Sequence, residues 1–135
     1  MILTDAGPLV AIIDRDEPAH DRCVALLGSL RSPMLTTWPA FTEAMYLLAA
    51  TAGWFGQEPL WRMVKRGHLQ IAEATQRTLE RLPILMEKYR DLPMDLADAS
   101  LVALAEENRL DHIFTLDGHF HVYRLPLGKG FTLLP

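Results

Sequence analysis

A chain of 135 residues, half of them hydrophobic and with a mean hydropathy of +0.08, has material for one domain, residues 1–135, with a sizeable core. It has no apolar run near the ~18 residues a membrane span needs, and no basic leader followed by an apolar stretch, so a cytoplasmic protein is expected. The net charge of −4 argues against an extensive nucleic-acid surface, and the single cysteine, Cys23, excludes an internal disulfide.

Met1 to Asp5 (MILTD) is a short apolar run ending in an acid, and reads as a buried strand with Asp5 at its carboxyl end. Gly7-Pro8 then turns the chain, and Leu9, Val10, Ile12 and Ile13 continue as a short apolar helix. Asp5 is the only charged side chain before Asp14; it is either a turn residue or a functional acid. Glu17-Pro18 starts a second helix from His20 to about Leu30 with Cys23, Leu26, Leu27 and Leu30 facing inward. Pro33 to Thr37 is a second strand, and Trp38-Pro39 opens a helix that runs to about Ala52 and stops at Gly53.

Glu43 is the only charged residue between Arg31 and Glu58, among Phe41, Ala44, Met45, Leu47 and Leu48. Surface acids usually come mixed with lysines and arginines, so this isolation marks Glu43 as a candidate site residue; the alternative is one wet position on a mostly buried helix. Pro59 begins a helix from Leu60 to Arg66, closed by Gly67, and His68 to Ala72 is a third strand. Thr75 to about Arg90 is helical, with Pro83 expected to break or kink it.

The most informative stretch is Asp91 to Phe120, read as loop, helix, turn, strand and loop. Leu96 to Asn108 lacks Gly and Pro, and Leu101, Leu104 and Ala105 mark a buried helical face. Asp98 lies three residues before Leu101, in phase with that face, where an unpaired carboxylate is costly. Asp95 is either an N-cap or a second site acid beside it. Asp117 falls just past the following strand, and Phe131 to Leu134 is a last short strand.

Strands alternating with helices predict an α/β fold with a mostly parallel sheet of four to five short strands. Ligands bind such sheets outside the carboxyl ends of the strands. Asp5 and Asp117 fall at those ends, while Asp98 and Glu43 lie near helix starts at the same edge. Two like charges about 4 Å apart repel by roughly 4 kcal/mol at an effective dielectric of 20, so clustered acids need a cation or a proton. The five histidines show no zinc-ligand spacing, and a loop pair such as His119 and His121 more often meets solvent or substrate than metal. All-oxygen ligands select Mg²⁺ or Mn²⁺, which hold phosphates and activate water, so the pattern points to phosphodiester hydrolysis.

An Asp ending the first strand, a lone Glu in the helix after the second, MDLADASLVALAEE (Met94–Glu107) and TLD (Thr115–Asp117) together resemble the PIN domain family, and within it the VapC-type toxin ribonucleases of toxin–antitoxin pairs. The resemblance covers nearly the whole chain. It implies a three-layer α/β/α sandwich and a Mg²⁺- or Mn²⁺-dependent endoribonuclease. Asp5, Glu43, Asp98 and Asp117 would be its acidic quartet; Asp5, Asp98 and Asp117 would be metal ligands, with Asp95 as an additional one. Thr115 matches a supporting polar position. Ala6 stands where many such domains carry Ser or Thr, leaving Thr4 as the stand-in hydroxyl, and Gly118-His119 stand where a basic residue is common. Arg62, Lys65, Arg66, Arg124 and Lys129 remain as phosphate contacts. The resemblance also implies an RNA substrate, a cognate antitoxin and a homodimer, with Trp54, Phe55 and Trp61 as exposed apolar candidates. The alternative that Ala6, Gly118 and the acidic charge leave open is a non-catalytic protein-binding module on the same fold.

Overall fold

The computed structural model describes residues 1–135. Its strands are β1 (Ile2–Thr4), β2 (Met34–Thr37), β3 (Leu69–Ala72), β4 (His112–Phe114) and β5 (Thr132–Leu134). They form one sheet in the order β3-β2-β1-β4-β5, every pairing parallel. Its helices are α1 (Ala6–Ile13), α2 (His20–Ser29), α3 (Trp38–Ala52), α4 (Trp54–Lys65), α5 (Gln76–Lys88) and α6 (Leu96–Asn108).

Side chains alternate across the sheet with the period of two that a strand imposes. Ile2, Met34, Leu69 and Phe114 join one core with residues of α1 to α4. Leu3, Leu35 and Ile113 join the other with α5, α6, Phe120 and Tyr123. The result is the three-layer α/β/α sandwich that strand–helix alternation predicts. The strand order places β1 at the centre, with β2 on one side and β4 on the other. The gap above β1 and β4 is therefore the topological switch point.

Helix α6 is buried on nearly all sides, from Ala97 through Ala105. Asp98 is thus enclosed because its helix lies between the sheet, α3 and α5, and not because it shares a stripe with Leu101. Asp98 would be buried at almost any phase.

Two prolines expected to mark helix interruptions, Pro59 as a start and Pro83 as a break or kink, lie inside continuous helices. Helix α4 begins at Trp54 rather than at Leu60 and carries Pro59 inside it. Gly53, at φ 56°, makes the corner from α3, and Gly56 then packs against α3 so closely that a Cβ there would sit 2.7 Å from the Leu48 carbonyl oxygen. Burial of Gly56 and Leu60 offsets the one hydrogen bond that Pro59 cannot donate. Helix α5 likewise runs unbroken through Pro83. A capping box at Thr75 and Thr78 fixes its start, and Arg81 pairs with Glu106 of α6 at 2.8 Å. Packing outweighs the local preference of proline in both helices.

Helix α3 also departs from the expected pattern. Thr42, Glu43, Tyr46 and Leu47 are exposed on it, so Glu43 belongs to an open face rather than standing as one wet position on a buried helix. Trp54, Phe55 and Trp61 are exposed too, Phe55 by 86%.

Candidate active site

Three of the acids cap helical turns at the carboxyl edge of the sheet. Asp5 caps α1: its Oδ1 accepts from the backbone N–H of Ala6 at 2.7 Å. Asp95 caps α6, accepting from the N–H of Asp98 at 2.8 Å. Asp117 caps the 3₁₀ turn Gly118–His121, accepting from the N–H of His119 at 2.9 Å. Capping and site membership are therefore not alternatives. An N-cap carboxylate spends one oxygen on the backbone and is aimed at the edge where these helices begin.

Thr115 ties two of these caps together. Its hydroxyl donates to Asp5 Oδ2 at 2.9 Å and accepts from the N–H of Asp117 at 3.0 Å. Asp98, in the first turn of α6, accepts on Oδ2 from the buried hydroxyl of Tyr123 at 2.6 Å. One oxygen atom each of Asp98 and Asp117 and a ring nitrogen of His119 lie within 4.8 Å of one another. Glu43 reaches the same basin from α3 through its charge: partial burial raises its pKa, and Asp5, Asp95 and Asp117 raise it further.

The electrostatics follow from burial. Asp98 is pushed from 3.8 up to about 7, first by desolvation, then by the charges of Asp95, Asp5 and Asp117, against the lowering effect of the Tyr123 hydrogen bond. Asp5 is raised for the same leading reason, although Ala6 and Thr115 favour its charge. Burial pushes the Tyr123 phenol well above its ordinary value, and the Asp98 hydrogen bond and charge reinforce this, so it remains a donor. No lysine or arginine pairs with any of these carboxylates; the His119 imidazole lies beside them, its Nδ1 3.6 Å from Asp117 Oδ1. A basin of hard oxygen donors with one imidazole and no protein cation fits a divalent ion of the Mg²⁺ or Mn²⁺ type.

The structure thus brings together Asp5, Asp95, Asp98, Asp117, Thr115 and, at the rim, Glu43. It does not bring in Thr4, whose hydroxyl donates to the Ile2 carbonyl at 3.3 Å and replaces nothing at Ala6. The expected phosphate contacts are displaced as well. Arg62, Lys65 and Arg66 close α4 at the opposite, amino edge of the sheet, where Arg62 pairs with Glu58. Lys129 precedes β5 at that edge and pairs with Asp111. Arg124 Nη1 donates to the carbonyls of His121, Val122 and Tyr123, which commits it to its own loop.

Two contributors escape sequence reasoning. His119 had a signal, its spacing of two from Asp117, that the frequency of loop histidines outweighed. Tyr123 had none, because a single tyrosine beyond the last recognisable motif carries no period or spacing.

Residues 2–125 match the PIN domain family. Among curated proteins, the chain is 29% identical to ribonuclease VapC26 of Mycobacterium tuberculosis over 136 aligned residues, covering 99% of this chain and 100% of the relative. Among solved structures, it resembles Mycobacterium tuberculosis VapC20, a sarcin–ricin loop cleaving toxin, at a TM-score of 0.80 and 14% identity, over 87% of this chain and 91% of that one. A toxin–antitoxin complex from Klebsiella pneumoniae contains a similar chain, with a TM-score of 0.64, 21% identity and 87% coverage of each.

Proposed function

Because this chain belongs to the PIN domain family, we propose that it is a metal-dependent endoribonuclease, the toxin of a toxin–antitoxin pair, hydrolysing RNA phosphodiester bonds. The observation that carries this reading is the basin of carboxylates at the switch point with no lysine or arginine to neutralise it. The likeness to ribonuclease VapC26 along the whole chain supports the RNA substrate.

When bound, Mg²⁺ or Mn²⁺ supplies a lowered pKa for water and charge neutralisation on the phosphodiester. Asp98 and Asp117 would hold the ion, with Asp5 and Asp95 completing its oxygen environment and His119 at its edge. Thr115 fixes the Asp5 carboxylate plane and the Asp117 backbone at once. Tyr123 occupies Asp98 Oδ2, which leaves Oδ1 as the free oxygen. Glu43, exposed and with a raised pKa, is the base at the solvent side: its carboxylate takes the proton released by the attacking water.

The test is cleavage of single-stranded RNA with millimolar Mg²⁺ or Mn²⁺. Asp5→Asn and Asp98→Asn each abolish it while retaining the fold; if both variants cut at the wild-type rate, the reading is wrong. Ala6, and the absence of any lysine or arginine ion pair to the basin's carboxylates, favour a second reading, a non-catalytic protein-binding module. A thermal shift with Mn²⁺ separates the two, since only the nuclease reading requires a bound ion.

The same reading supplies partners. An acidic basin accepts a cationic side chain from an antitoxin, and the exposed Tyr46, Leu47, Trp54 and Phe55 of α3 and α4 form an apolar face for a second copy of the chain. A light-scattering mass of one chain at micromolar concentration would count against that homodimer. No helix is long and apolar enough to cross a membrane, in keeping with action in the cytoplasm.

A further inference from the structure

A cleft of about 280 Å³ opens at the carboxyl edge beside the acid basin, between α5, α6 and the start of α3. Its walls are Trp38, Leu79, Leu82, Leu96 and Leu104, and Trp38 is 50% exposed at its rim. The cleft lies above β2 and β3, and the basin lies above β1 and β4. Neighbouring strands are about 4.8 Å apart, so β2 and β4 are separated by roughly 10 Å. The two sites also share a helix start: Leu96, in the wall, follows Asp95 directly.

We propose that this cleft is a nucleobase subsite, which takes one unstacked base near the scissile phosphate with Trp38 as its stacking partner; the inference rests on the ribonuclease reading above. A base has apolar faces and a polar edge, and the cleft has both complements. Leucines and the indole cover the faces. At the mouth, Glu73 is an acceptor for edge N–H groups, and the backbone of Ala74 makes no hydrogen bond within the protein. The hydroxyls of Thr37 and Ser100 bond each other at 2.6 Å in the wall. Glu73 and Ala74 are exposed at the mouth, where a base can exchange their water for hydrogen bonds from its own polar edge, whereas an apolar side chain filling the same volume makes no such bonds. Single-stranded RNA is read in this way, by bases splayed onto aromatic side chains.

The test uses the full chain with single-stranded RNA decamers that carry one 2-aminopurine at successive positions. Bound to the cleavage-deficient Asp98→Asn protein, one position shows quenching by stacking, and adding Trp38→Ala removes it. In cleavage, Trp38→Ala raises KM by roughly tenfold or more, and Trp38→Phe restores most of the loss. The Mn²⁺-induced thermal shift of Trp38→Ala stays at the wild-type value, which shows the acid basin intact. An unchanged KM in Trp38→Ala, or quenching that ignores Trp38, overturns the subsite and leaves the ribonuclease standing. Trp38→Ala weakening only a partner protein's binding also overturns it, in favour of an apolar side chain in the cleft. If the wild-type protein neither binds nor cuts RNA, the ribonuclease reading fails first and takes the subsite with it.

Discussion

Replacing Asp98 by Asn should stabilise the metal-free protein. The carboxylate is 5% exposed, and its pKa stands at about 7 in the fold against 3.8 without the fold's influence. At pH 8 that rise corresponds to about 4 kcal/mol held against the ionised form. Solvent reaching the basin screens part of this, which leaves about 2 kcal/mol. Asn keeps an oxygen to accept from Tyr123 and loses about 0.5 kcal/mol of favourable interaction with the α6 dipole. The net gain is roughly 1.5 kcal/mol, about 5 °C in Tm for a chain of this size. Between pH of about 4 and 7 the native chain holds a proton on Asp98 that the unfolded chain has lost, so wild-type stability falls as pH rises across that window. The variant's advantage should therefore shrink towards zero at pH 5. Millimolar Mn²⁺ at pH 8 should raise the wild-type Tm and leave the variant's nearly fixed. Calorimetry of both proteins at pH 5 and pH 8, in EDTA and then in Mn²⁺, measures all of this. If Asp98→Asn destabilises equally at both pH values, the carboxylate is not strained by burial and the reasoning fails.

Three further outcomes follow from particular contacts. Tyr123→Phe removes the donor that favours charge on Asp98, so the Asp98 pKa rises further and Mn²⁺ affinity at pH 7 drops, by titration calorimetry, roughly tenfold; unchanged affinity would show that Oδ2 needs no donor. Thr115→Val leaves Asp5 Oδ2 and the Asp117 N–H without their shared partner, and should cost about 2 kcal/mol in urea unfolding at pH 7; a loss within error would mean water replaces the hydroxyl. Gly56→Ala drives a methyl into the Leu48 carbonyl oxygen and should cost about 1–3 kcal/mol in the same assay, because α3 and α4 must separate; a neutral result would mean the two helices yield freely.

Much of the fold was legible because its signals are local. Short apolar runs ending near Asp5, Thr37 and Ala72 marked strands, and Gly53 marked a corner. Proline misled where tertiary packing decides: Pro59 and Pro83 sit inside helices whose buried residues and caps hold them in place. The acids of the site were legible one at a time, since Asp5, Asp95 and Asp117 also follow capping rules and Asp98 and Glu43 stand in apolar company. Their partners were not. The Tyr123 hydroxyl meets Asp98 only because the loop after β4 folds back over α6, and nothing near Tyr123 in the sequence records that return. The basic residues failed for the converse reason: composition says that Arg62, Lys65, Arg66 and Lys129 exist, but only the topology assigns them to the far edge of the sheet.

Anomalous scattering from a crystal grown in Mn²⁺ tests the convergence of these acids most directly. The expected result is a manganese peak within coordination distance of Asp98 and Asp117, bordered by Asp5 and lost in Asp98→Asn. A crystal at millimolar Mn²⁺ with no peak among these carboxylates, or with its only peak elsewhere on the molecule, would contradict a metal-centred nuclease site.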